Sequence, residues 1–462
     1  MGAAAMLAVC GVAAGTPPFS IEALVLEGDG VEGVGLATRI DLLAVNNKGE
    51  WLVEADTDNA DTDADSVMLK NGSLLLREGD PIDVPTGGTI NGFDAVNLNL
   101  FGHSGWNIFL ADTGGLSTDS GMFYDDVLVF QESTISEAEG FTEGTPYVGF
   151  FDAKMNDHDQ ILIMASVDDP AIPSSVDRAL VRVDYDAGKG TYTETVLGKE
   201  GDILPGQVEA VADYGTDPDE FDWNNAGDVM FIADLTGDTA FDLALYLNEE
   251  LLAQEGFASP VEGRSWQSFG SASVAINNLG AYAYRADLDG DTADDLVIVA
   301  GGEVFVREGD AAPDGQPLMS FGSSPDLNDA GEVLWVAVWD DVNGAEVEAL
   351  MLDDAVLVQT GVTEIDGSLV TDLGIGEDHF FTSSNGNFVI FEATLATGQE
   401  GAFLVSLCAA DFNRDGTLSI LDFVAMQNAF TSGNPRADIN NDGAANILDF
   451  VAYQNLFQAG CE

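Results

Sequence analysis

Between residues 20 and 407 one pattern recurs seven times. It runs Asn-x-x-Gly, an alternating apolar strand, a loop, a second strand, a tight turn, and a strand ending near Glu-Gly-Asp. Clear copies begin at Asn46-Asn47-Lys48-Gly49, Asn224-Asn225-Ala226-Gly227, Asn277-Asn278-Leu279-Gly280 and Asn328-Asp329-Ala330-Gly331, and degenerate ones lie at Gly102–Gly105, Asn156–Asp159 and Ser383–Gly386. The last positions of successive copies are 56, 54, 68, 53, 51 and 55 residues apart. That period suits one supersecondary unit and is small for a self-sufficient core.

Inside a copy the chemistry is that of hairpins. Gly301-Gly302 separates the apolar runs Leu296–Val299 and Glu303–Arg307, and Asn71-Gly72, Asp125-Asp126, Asn248-Glu249 and Asp353-Asp354 hold the same place elsewhere. These residue types supply the positive φ that a two-residue turn requires. Each copy thus makes about four short strands, and such units repeated radially protect their edges, whereas a linear array would expose two. Six copies end in a closing strand, the last at Val356–Gly361, but the seventh stops at Ala402–Leu407 without one. The missing strand stands at the other end of the chain, in Ala23–Asp29. The reading is an all-β, seven-bladed propeller over residues 20–407, closed by its N-terminal strand; a string of independent β-sandwiches is the alternative.

The repeats resemble the tandem NxxGxxxAF-type repeat of secreted bacterial proteins, a resemblance that implies no catalytic activity. Asp287-Leu288-Asp289-Gly290-Asp291-Thr292-Ala293-Asp294-Asp295 is also similar to the calcium loop of FG-GAP blades in integrin-type propellers. Its alternate carboxylates, Asp287, Asp289, Asp291 and Asp295, are spaced to converge on one hard cation. Asp234, Asp238 and Asp242 form a weaker copy. Solvated acidic turns are the alternative in so acidic a chain.

Asp and Glu number 81 against 14 Lys and Arg, a net charge of −67. Nucleic acid is excluded as a partner, since phosphates demand basic patches, and anionic membrane surfaces are disfavoured. Divalent cations are attracted instead. Residues 1–15, an apolar run ending in small residues before Thr16-Pro17-Pro18, read as a secretory signal peptide. A buried first helix is the alternative, and Leu7-Ala8-Val9-Cys10 raises the option of lipidation. No later stretch is long and apolar enough to span a bilayer. With Cys10 removed, Cys408 and Cys461 remain, an even pair that reads as one disulfide in an exported chain, two free thiols being the alternative.

Residues 408–462 carry the most specific signal. Asp411-Phe412-Asn413-Arg414-Asp415-Gly416-Thr417-Leu418-Ser419-Ile420-Leu421-Asp422 is a twelve-position calcium loop. Asp411, Asn413 and Asp415 offer side-chain oxygens, Gly416 allows the sharp turn, Thr417 offers its carbonyl, Ser419 takes the water-mediated place and Asp422 closes the site. The second loop repeats the spacing, with Asp438, Asn440, Asp442, Ala444, Asn446 and Asp449 in the matching positions. Each loop runs into a helix expected at Asp422–Phe430 and Asp449–Phe457. The duplicated loop–helix unit, flanked by Cys408 and Cys461, resembles a dockerin of the GC type. The resemblance implies Ca²⁺ as cofactor, an extracellular or cell-surface location, and a cohesin-like or other surface receptor as partner. Positions ten and eleven, which often carry receptor-reading hydroxyls in type I dockerins, are here Ile420-Leu421 and Ile447-Leu448. The duplicated polar pairs Gln427-Asn428 and Gln454-Asn455 are further candidates for partner recognition.

No nucleophile elbow, phosphate-binding loop, dinucleotide fingerprint or zinc-ligand spacing occurs, and the three histidines are scattered. Trp51, Trp106, Trp223, Trp335 and Trp339 fall at strand positions, where core packing is favoured over sugar stacking. The functional reading is an exported, non-catalytic binding or display propeller, with an extracellular glycan or protein as its ligand. A polysaccharide-degrading enzyme or carbohydrate-binding component delivered by the dockerin is the alternative.

Overall fold

The computed structural model describes residues 18–82, 88–172, 177–215, 220–269, 274–376 and 379–461. The signal peptide expected at 1–15 lies outside the described residues. Seven antiparallel sheets follow one another along the chain. The third is representative, with strands Tyr147–Met155, Gln160–Val167, Asp177–Asp186 and Thr191–Lys199 paired in sequence order.

Strand Val333–Asp340 shows why these sequences form blades. Its residues through Trp339 are all buried. Val333, Trp335, Ala337 and Trp339 join a core shared with the fifth sheet, while Leu334, Val336 and Val338 join one shared with the seventh. A period of two sends alternate side chains to opposite faces, so a strand covered on both faces must be apolar throughout. The other apolar cores of the propeller are likewise shared between neighbouring sheets, and the last links the seventh sheet to the first through Ile390, Ala402 and Leu404 against Leu43, Val53 and Val67. The architecture is a closed seven-bladed propeller. Trp51, Trp106, Trp223, Trp335 and Trp339 are all buried in these cores.

The N-terminal strand closes the ring. Phe19–Leu26 pairs antiparallel with Glu400–Leu407, from Phe19 opposite Leu407 to Leu26 opposite Gly401. It begins earlier than the expected Ala23, and Gly28 and Asp29 belong to the following turn, where Gly28 has φ +91°. The hairpin turns keep positive φ at Asn71, Asp125, Asn248, Gly301 and Asp353.

The Asn-x-x-Gly turns form a hydrogen-bonded ring on one face of the propeller. Asn277 Oδ1 accepts the amides of Leu279 (3.0 Å) and Ala281 (2.9 Å), which fixes its own turn. Its Nδ2 donates to the Asn328 carbonyl of the next blade (2.9 Å). Asn46 reaches Asn99 and Asn224 reaches Asn277 in the same way, while Asn385 Nδ2 donates to the Asn47 carbonyl across the closure (2.9 Å). The second blade corrects the sequence reading. Its turn is Asn99–Gly102, three residues before the expected Gly102–Gly105, with Asn99 Oδ1 accepting from Phe101 and His103 and Gly102 at φ +81°. Gly105 instead opens the following strand, where an added Cβ would meet Ile161.

Beyond Leu407 the chain leaves the sheet and forms two helices, α1 (Ile420–Ser432) and α2 (Ile447–Ala459). Both start two residues before the expected positions because Ser419 and Asn446 act as N-caps, each in a capping box with Asp422 or Asp449. Phe412, Met426 and Tyr453 form the small core between them. Cys408 and Cys461 are joined in a disulfide that ties the end of α2 to the last strand.

Candidate metal centre and contact faces of the C-terminal module

The twin loops are built alike, bond for bond. Asp411 accepts the amides of Asp415 (3.2 Å) and Gly416 (2.8 Å), and Asp438 accepts those of Asp442 (3.1 Å) and Gly443 (2.7 Å). Asp422 accepts from Asn413 (3.2 Å) and Ser419 (2.7 Å), matched by Asp449 with Asn440 (3.1 Å) and Asn446 (2.6 Å). Asp415 and Asp442 each accept an amide two residues on, from Thr417 and Ala444. Gly416 and Gly443 take φ +78° and +89°, a backbone shape that favours glycine.

Asp411, Asp422 and Asp449 are fully buried. Burial raises the Asp411 carboxyl, and the charges of Asp422 and Asp415 push the same way; Asp438 is raised by burial together with Asp449 and Asp442. Among the described residues no three His, Cys, Asp or Glu side chains converge to hold a metal ion. The loop carboxylates are folded onto backbone amides instead. The donor set is nonetheless oxygen throughout: carboxylates, an amide at position three, a carbonyl at seven, and a Ser or Asn at nine. That chemistry fits a hard divalent cation and offers nothing to a soft one.

The blade loops differ. Arg264 Nε lies 3.5 Å from Asp289 and its Nη1 2.8 Å from Asp294, whose other oxygen meets Arg307 at 2.7 Å. Two guanidiniums therefore sit against the loop that contains Asp287, Asp291 and Asp295. The Asp291 carboxylate accepts a local amide, that of Ala293. In the fourth blade burial and the Asp242 charge raise the Asp234 carboxyl, while exposed Asp238 accepts the Ala240 amide.

The first turns of α1 and α2 present twin apolar faces to solvent. Ile420 and Ile447 are both 71% exposed, Leu421 and Leu448 57% and 59%, and Val424 and Val451 continue each face. Gln427, Asn428, Gln454 and Asn455 are also exposed.

A third face escaped the sequence reading. Position four of each loop, Arg414 or Asn441, points onto the Asn-x-x-Gly ring. Arg414 Nη2 donates to the Gly386 carbonyl (2.5 Å) and to Asn387 Oδ1 (3.2 Å), and Glu332 lies 3.8 Å from Nε. Asn441 Nδ2 donates to the Asn47 carbonyl (2.9 Å), and Asn434 Nδ2 to that of Asp329 (2.9 Å). Arg436 stacks on Phe412 at 4.5 Å, and burial pushes its guanidinium down to about 10. The only sequence signal for this face was a basic residue inside an acidic loop.

The profile of a family of unknown function, DUF7453, matches residues 10–251 and again 188–408, and that of the type I dockerin domain matches residues 409–458. No curated protein matches the chain. Three solved structures show remote likeness. A protein of unknown function from Dyadobacter fermentans shares 11% identity over 84% of this chain and 99% of its own, with a TM-score of 0.32. The polysaccharide lyase Uly1 shares 9% over 82% and 91%, with a TM-score of 0.36. The Aleuria aurantia lectin in complex with Fucα1-6GlcNAc shares 9% over 71% and 97%, with a TM-score of 0.28. Likeness at this level does not bear on function.

Proposed function

Since the chain belongs to the DUF7453 family of unknown function and ends in a type I dockerin domain, we propose that it is an exported binding or display propeller, fixed to an extracellular complex by a calcium-loaded module. A dockerin implies a cohesin partner, and dockerin-bearing proteins are generally extracellular or parts of cellulosome-like complexes. The calcium ligands in this reading are Asp411, Asn413, Asp415, the Thr417 carbonyl, Ser419 and Asp422, and their counterparts Asp438, Asn440, Asp442, the Ala444 carbonyl, Asn446 and Asp449. The cation would offset most of the charge of the three carboxylates in each loop and so stabilise the module by mass action.

One observation carries the receptor assignment: two equivalent aliphatic faces, Ile420-Leu421-Val424 and Ile447-Leu448-Val451, remain exposed on an otherwise highly charged molecule. Paired apolar patches of this kind mark interaction sites. With aliphatic side chains at positions ten and eleven, the receptor is a cohesin whose facing surface is apolar.

The test is binding of the full chain to cohesin domains, measured by calorimetry in calcium and in chelator. Calcium-dependent binding is expected, weakened about tenfold or more when Ile420, Leu421, Ile447 and Leu448 are all replaced by Ser. Unchanged affinity in that variant would sink the receptor assignment.

A further inference from the structure

The two loops of the module use their fourth residues against the propeller, although nothing in a calcium loop requires it. Arg414 and Asn441 both take the left-handed conformation, φ +59° and +54°. Each side chain makes its polar contacts with the turn ring, Arg414 at Gly386 and Asn387 and Asn441 at Asn47. Arg414 enters between the sixth and seventh blades, where its side chain is only 8% exposed. Asn441 bridges to the first blade, and Asn385 Nδ2 approaches its Oδ1 at 3.4 Å. Gly443 lies over the second, where an added Cβ would stand 3.2 Å from the Phe101 ring. Between module and ring remains a cavity of about 290 Å³, lined by Asn225, Asn278 and Asp329 below and by Asp438 and Asn441 above.

We propose that position four of each loop is a second recognition surface of the module, that its partner is the turn ring of the chain's own propeller, and that calcium is what presents it. The inference rests on the calcium reading above. The direction of Arg414 and Asn441 is set by the wrap of the loop around its carboxylates. Without a counter-charge, Asp411, Asp415 and Asp422 repel one another in one turn, as do Asp438, Asp442 and Asp449, and the wrap loosens. The seat is then lost together with the loop. While seated, the module keeps both aliphatic faces outward, so holding the propeller and holding a receptor are compatible.

Hydrogen exchange of the full chain reads this directly, followed at the ring amides of Asp329 and Asn385 and at the loop amides of Asn413 and Ser419. In calcium all four should be protected. Chelator should speed exchange at Asp329 and Asn385 by about tenfold or more, because the cover is removed. The double variant Arg414→Ala/Asn441→Ala should speed the ring amides alike in saturating calcium, with Asn413 and Ser419 still protected. If that variant loses its loop protection, Glu332→Gln, which alters the ring and no loop residue, takes its place with the same expectation. Calcium uptake is titrated separately. Uptake without any change at the ring amides, in chelator or in the variants, overturns the inference and leaves the calcium reading standing. Absence of uptake overturns both. Release by chelator but not by the variants also overturns it, since position four would then not be the seat.

Discussion

Asn277 does three things with one amide group: its oxygen holds two amides of its own turn and its nitrogen ties that turn to the next blade. Replacing it with Ala leaves two turn amides without their acceptor and takes one of two donors from the Asn328 carbonyl, which keeps the amide of Gly331, so Asn277→Ala should cost about 1–3 kcal/mol in urea unfolding. Asn278→Ala, one position along and half-buried, serves as the comparison. Glu54 gives a pH prediction. Burial pushes its carboxyl up to about 8 from 4.5, with Asp41, Asp56 and Asp94 adding to the rise and the Ser66 hydroxyl opposing it. The folded chain therefore holds a proton that the unfolded chain has lost. The resulting stabilisation is full below pH 4.5 and disappears as pH climbs through about 8. Glu54→Gln should raise the melting temperature above that pH and have little effect near pH 5, as thermal scans across pH will show. Residue-scale roles were unevenly legible. The calcium-type spacing was readable because ligand positions are fixed by sequence number, whereas Arg414 was not, because its partner Gly386 lies in a different element. Asn99 is masked for a smaller reason: Gly102, the fourth position of its turn, also fits as the first of a degenerate Gly102–Gly105 copy.

At the scale of elements, period and turn chemistry did most of the work. Four-strand units, the two-residue hairpin turns and the strand missing from the seventh copy all followed from local pattern. Boundaries followed less well. The closing strand extends back to Phe19 because Leu407 and Ser406 offer it partners, which no local rule reveals. The helices begin at Ile420 and Ile447 because Ser419 and Asn446 serve both as loop residues and as caps. The fifth-blade loop meets Arg264 and Arg307, which lie outside it in sequence. Deleting residues 19–26 removes the outer strand of the seventh blade along with buried Val25. An open edge is left beside Glu400–Leu407, and the melting temperature should fall by at least about 5 °C. An unchanged melting temperature would mean that the ring does not depend on this closure.

The whole molecule bears a net charge of −67, and its cationic side chains are largely committed to local ion pairs such as Arg264 with Asp294. Self-repulsion should then oppose the compact state. Raising salt from about 0.01 M to about 1 M shortens the reach of that repulsion roughly tenfold, so thermal scans should show a melting temperature several degrees higher, monovalent salt sufficing. The closure of the chain upon itself has a mechanical side. Pro18 accepts the amide of Cys408, so the ring's first and last strands and the root of the module meet at one corner. The disulfide to Cys461 brings the far end of α2 to the same place. Tension arriving through an anchored module would reach the ring at Leu407 without first having to stretch the helices. Strand Glu400–Leu407 is flanked by Phe19–Leu26 on one side and Phe388–Leu395 on the other. A pull along its axis must shear two ladders at once instead of opening one bond at a time.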